Sequence, residues 1–153
     1  MFLRVRLQRI LLTIGLVETV CFGQPFGNWK LNAAQSTFAG DIRPKTLTVR
    51  TEPHVKGEVV TVERTEVNGQ TTSSSTVLYL DGVARDFQQD ACSGTQSSRR
   101  VDGHAVEIVR NCAAGAWIRL VRRTAPKNQL VLEITEQRAD GRRFDRRLVF
   151  EKQ

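Results

Sequence analysis

A chain of 153 residues has room for one domain, and no Pro/Ser-rich stretch or block of like charge marks a boundary that would make it two. Its formal net charge of +7 keeps a small protein soluble and draws it toward anionic surfaces. Two histidines stand at no metal spacing from an acid or cysteine, and neither a Gly-x-Ser-x-Gly elbow nor a Cys-x-x-Cys pair occurs, so no motif for zinc, serine-hydrolase or dithiol chemistry is present.

The first residues, "MFLRVRLQR", carry Arg4, Arg6 and Arg9 without an acid. The apolar run "ILLTIGLV" follows, then "ETVCFG", with Cys21 and Gly23 at minus three and minus one to a cut before Gln24. That order reads as a secretory signal peptide over residues 1–23, ahead of a single domain over 24–153. The apolar run is too short to span a bilayer, which takes about 20 residues. The alternatives are a retained N-terminal anchor and a lipoprotein cut at Cys21, which fits less well because Val20 is bulky. Loss of three Arg and one Glu with the leader takes the charge from +7 to +5. An exported protein seldom meets nucleic acid, so the expected location is periplasmic or extracellular. The expected anionic partners are then wall polymers or lipid headgroups.

Past the leader the chain is paced by turns. Asn68-Gly69, Asp81-Gly82, Asp102-Gly103 and Asp140-Gly141 are type I′ hairpin signals, with weaker breaks at Lys56-Gly57, Ser93-Gly94, Ala114-Gly115 and Lys127-Asn128. The breaks fall about 9 to 13 residues apart, which is one strand plus one tight turn. Between them, "KTLTVR", "AWIRLVR" and "LVLEITE" alternate with period two, the pattern of half-buried antiparallel strands. The spacing predicts about ten strands: 27–32, 45–52, 58–67, 70–80, 83–91, 95–101, 104–112, 116–125, 129–139 and 142–151. A single helical turn is expected at most in 33–36. A meander this long would expose two edges if left open, so closure into an up-and-down barrel is expected. A two-sheet sandwich is the alternative, but it normally needs longer crossovers.

Cys92 and Cys112 are the cysteines left after the leader, and an even pair in an exported chain reads as a disulfide, with two free thiols the alternative. If Val101 faces His104 across the turn, Cys112 faces Ser93, and a one-residue bulge brings the sulfurs together.

Gly27-Asn28-Trp29 at the first strand, and Leu148-Val149-Phe150-Glu151-Lys152 at the end, resemble the opening and closing strands of the lipocalin and fatty-acid-binding-protein (calycin) superfamily. Gly-x-Trp-Lys-Leu-Asn, Ser36-Thr37-Phe38, Tyr79-Leu80-Asp81-Gly82 and the terminal aromatic-Glu-Lys are similar to a group of short exported bacterial proteins of unknown function, a likeness that brings no activity with it. The superfamily resemblance implies a barrel that binds a small ligand and is no enzyme, without cofactor or metal. It further implies that Gly27, Trp29 and a last-strand arginine, Arg146 by parity, close one barrel end. Two departures bear on the ligand. Residues 32–44 are too few for the helix pair that lids a fatty-acid-binding protein. Leu148 and Phe150 also stand where the family's carboxylate clamp, Arg-x-Tyr, would be.

Alternation places Leu47, Val49, Val62, Leu78, Ile108, Leu120, Leu132 and Phe150 in the barrel interior as candidate ligand-binding residues, with Val60, Val106 and Ile118 beside them. The expected ligand is small and mostly apolar. Arg119, Arg123, Arg143 and Arg147 fall on outward positions. If their strands are neighbours they form a basic stripe, which supports the alternative of an envelope protein that docks on an anionic polymer or lipid. His54 and His104 read as exposed turn residues.

Overall fold

The computed structural model describes residues 25–40, 43–89 and 92–153. The expected signal peptide over residues 1–23 and the expected cut before Gln24 lie outside the described residues. Among the described residues ten strands follow one another: β1 (Gly27–Leu31), β2 (Thr46–His54), β3 (Gly57–Thr65), β4 (Thr71–Leu78), β5 (Arg85–Gln89), β6 (Cys92–Asp102), β7 (Ala105–Cys112), β8 (Trp117–Ala125), β9 (Gln129–Gln137) and β10 (Arg143–Lys152). A three-residue 3-10 turn (Ala113–Gly115) joins β7 to β8.

Every pairing is antiparallel, and the order across the sheet is β4-β3-β2-β1-β10-β9-β8-β7-β6-β5. The chain is therefore an up-and-down meander, joined between its first and last strands by the β1–β10 ladder, in which Trp29 faces Lys152. The sheet curls into a half-barrel, as the strand rhythm predicts. Closure differs from the expectation of a continuous barrel: among the described residues no ladder joins β4 to β5. The walls meet through side chains instead. Leu78 of β4 packs with Val106 and Ile108 of β7. The β4–β5 connection is tied to β6, since the Leu80 N–H donates to Ser98 Oγ at 3.2 Å and the Gly82 N–H to the Ser98 carbonyl at 2.8 Å.

The hairpin turns use other dihedrals than type I′ at the Asn/Asp-Gly pairs. At Asn68-Gly69, Asp81-Gly82 and Asp140-Gly141 only the glycine has positive φ. The preceding side chain caps the turn, as where Asp140 Oδ1 accepts the Arg142 N–H at 3.0 Å. Asp102 acts likewise on the His104 N–H at 2.7 Å. Two consecutive left-handed residues, the type I′ signature, occur at Lys127 (φ 62°) and Asn128 (φ 54°), a site that reads in the sequence as a weaker break.

Residues 33–36 form a turn rather than a helix, and the chain then returns to β10. The Ser36 hydroxyl accepts the Val149 N–H at 2.9 Å, Thr37 pairs with Arg147, and Phe38 packs on the core. That core centres on Trp29, Leu47, Val49, Leu130, Ile134, Leu148 and Phe150, all on the concave face.

Candidate functional site

The concave face encloses a cavity of about 330 Å³, at the lower end of the ~300–1,000 Å³ typical of ligand sites. Alternation along the strands builds its wall. Leu47 and Val49 come from β2, Val60 and Val62 from β3, Leu78 from β4 and Ile108 from β7. Ile118 and Leu120 come from β8, Leu130, Leu132 and Ile134 from β9, and Leu148 and Phe150 from β10. All eight interior residues named from parity line this cavity. Val106, of the same parity, packs with Leu78 and Ile108 in the core.

The wall also carries polar groups that the sequence reading did not assign to the interior: Arg64, Thr72, Ser74, Thr76, Gln89, Arg110 and Arg122, beside Arg146. The signal was available, since Arg110 shares parity with Ile108, and Arg122 with Leu120.

These groups divide between two ends of the cavity. At the end set by Trp29, Thr51 and the start of β3, Arg122 Nη2 donates to Glu58 Oε1, joining β8 to β3 across the interior. Glu58 is 0% and Arg122 5% exposed. At the other end, Arg64 Nε donates to Glu66 Oε1, and its Nη2 to Glu66 Oε2 at 3.4 Å. Arg146 Nη2 donates to Glu136 Oε2 at 2.7 Å. Arg110 Nε donates to Gln96 Oε1 at 2.9 Å, with its guanidinium 4.4 Å from the Phe87 ring centre.

The expected closure of one barrel end by Arg146 over Trp29 is not formed. Register forbids it: Trp29 faces Lys152, and Arg146 lies six residues up the same strand, about 20 Å away at ~3.3 Å per residue. Lys152 takes the place over the indole, with Nζ 5.4 Å from the ring centre. Trp29 is 1% exposed, and its Nε1–H donates to the Pro25 carbonyl at 3.2 Å and to Thr51 Oγ1 at 3.4 Å. Gly27 belongs to this cluster, because a Cβ there would come within 3.1 Å of the Lys152 stem.

Cys92 and Cys112 form a disulfide. The register differs from the one expected: Cys112 faces Gly94, and the irregularity sits farther down the hairpin, between Arg100 and Asp102. The sulfurs meet on a diagonal. Close approach there depends on Gly94, where a Cβ would fall 1.9 Å from the Asn111 carbonyl oxygen.

The outward arginines do not form one stripe. β9 separates β8 from β10, and Glu133 of β9 stands directly opposite Arg147. Arg119 donates to Glu107, Arg123 pairs with Asp102 at 3.0 Å, and Arg143 with Asp145 at 3.8 Å. Glu107 also accepts from Arg99, and that bond and the one from Arg119 hold its carboxyl below the ordinary range against the opposing effect of burial. His54 accepts the Lys56 N–H on its ring nitrogen, and His104 is exposed. Among the described residues no group of three or more His, Cys, Asp or Glu could hold a metal, and no helix is long and apolar enough to cross a membrane.

No protein-family model matches the sequence, and none of the curated proteins does. Solved structures do match. One crystal structure of a variant of the fluorescent protein UnaG aligns over 83% of this chain and 94% of its own, at 20% identity and a TM-score of 0.56. A second UnaG variant aligns over 84% and 95%, at 20% identity and 0.57. The fold is a calycin-type barrel. In this calycin fold the cavity occupies the concave face of the meander, and the segment where the resemblance implies a helical lid is the short return of residues 32–38 along β10.

Proposed function

We propose that the protein is an exported carrier or receptor that holds a small, mostly apolar molecule inside the barrel, in one domain over residues 24–153, and that it works by binding rather than catalysis. The observation that carries this reading is the cavity of about 330 Å³ lined by aliphatic side chains from seven strands together with Phe150. Excluding water from such a wall yields roughly 25 cal/mol per Å² of apolar surface covered, so a mostly apolar guest is what it favours. The Cys92–Cys112 disulfide supports an oxidising compartment.

The test is titration with N-phenyl-1-naphthylamine, a neutral apolar fluorophore, followed by native mass spectrometry of protein taken from its source. Saturable fluorescence, abolished when Leu120→Trp fills the cavity, is the expected result. A wild-type protein that neither enhances the fluorophore nor carries a displaceable small molecule would sink the reading.

A further inference from the structure

The cavity's charges are polarised along the barrel. At its deep end the polar lining is Thr76 and Arg122, and the Arg122 charge is matched by Glu58. The positions that would hold a carboxylate clamp in fatty-acid-binding proteins are Leu148 and Phe150, both part of the apolar wall. The basic groups lie at the opposite end. Arg64 is next to last in β3, Arg110 is two residues from the end of β7, and Arg146 is in the first half of β10. Antiparallel order brings those three positions to one end, the more exposed one, where the side chains of Arg64 and Arg146 are 38% and 19% exposed against 6% for Arg122 at the other; this end is the mouth, and all three side chains line the one cavity.

We propose that Arg64, Arg110 and Arg146 recognise an oxyanion, so that the ligand is an amphipathic anion seated with its apolar end deep and its head at the mouth. This rests on the ligand-binding reading above and adds the ligand's chemical class and orientation. Each guanidinium is already oriented by a brace: Glu66 on Arg64, Glu136 on Arg146, and Gln96 with the Phe87 ring on Arg110. Bracing reduces the side-chain entropy lost on binding, and a guanidinium has five N–H donors, so it can serve a brace and a ligand oxyanion together. The two glutamates also offset repulsion among the arginines while the cavity is empty. Thr72 and Gln89 add neutral hydrogen-bonding groups to the wall. Carboxylate, sulfate and phosphate heads share this chemistry.

The experiment is displacement of N-phenyl-1-naphthylamine by compounds sharing a decyl tail: decanoate, decyl sulfate, decyl phosphate, decanol and decyltrimethylammonium. The anions are expected to displace the fluorophore at about tenfold lower concentration than decanol, the range of one or two charge-assisted hydrogen bonds. The cation should be weakest, and the ranking among the anions tells which head fits. In Arg64→Gln/Arg110→Gln/Arg146→Gln the anion advantage should vanish while decanol is unchanged. If the triple variant does not fold, the single Arg146→Gln carries the same comparison, with outward Arg143→Gln as the control that keeps the advantage. Equal displacement by decanol and the anions, or preference for the cation, overturns the inference and leaves the ligand-binding reading standing. Failure of wild type to bind the fluorophore overturns both.

Discussion

Gly27 sits at φ +133°, a conformation that residues with a Cβ rarely adopt, beside the Lys152 stem that crosses Trp29. Gly27→Ala is therefore expected to cost about 1–3 kcal/mol, mostly backbone strain, read as a shift in the urea midpoint. Lys152→Met keeps the stem and removes only the charge over the indole, so it should cost no more than about 1 kcal/mol at this exposed site. A Gly27 variant that unfolds at the wild-type midpoint would show that this close packing is not needed. Glu107 gives a second residue-level expectation. Its carboxyl is held low in the folded protein, first by its bond from Arg99 and then by Arg119. A depressed folded value means that its stabilisation is present above the ordinary carboxylate pKa, near ~4.3, and drains away as pH falls toward the folded value. Unfolding free energy measured between pH 6 and pH 2 should fall less steeply in Glu107→Gln than in wild type. Parallel curves would refute this.

Among elements, the β6–β7 hairpin depends most on a covalent link. The disulfide spans 20 residues of sequence and ties the start of β6, which also carries edge strand β5, to the end of β7. In the chain-entropy model closing such a loop stabilises by roughly 3 kcal/mol. Cys92→Ser/Cys112→Ser should lose about that much in equilibrium urea unfolding, and reductant should then have no further effect on it. Hydrogen exchange should rise first in β5, which has a single neighbouring strand. Uniform loss of protection across the sheet would show that β5 is no weaker than the rest. The opposite edge, β4, is held by short polar pairs along "TTSSST", such as Thr65 with Thr71 at 3.0 Å.

At the scale of the whole molecule, the two walls that lack a shared ladder are joined by the buried Glu58–Arg122 pair. Glu58→Gln leaves a buried guanidinium without its counter-charge and should cost about 3–5 kcal/mol, whereas Glu58→Leu/Arg122→Met, which removes both charges and keeps the volume, should be near neutral or stabilising. A double variant as damaged as the single one would mean that the pair supplies net stability. Period-two alternation and the Asn/Asp-Gly spacing by themselves determined ten antiparallel strands and the aliphatic residues that face inward, and Cys92 and Cys112, the two cysteines beyond the expected leader, were legible as disulfide partners. Each of these depends on parity or count along a single chain, which no packing can alter. Only the tertiary structure decided that Lys152 rather than Arg146 covers Trp29. It also decided that β4 and β5 share no ladder, and which glutamate and glutamine partners brace Arg64, Arg110 and Arg122 at the cavity. Those outcomes depend on inter-strand register and on how far the sheet curls, and both are set by contacts between residues as distant as Glu58 and Arg122.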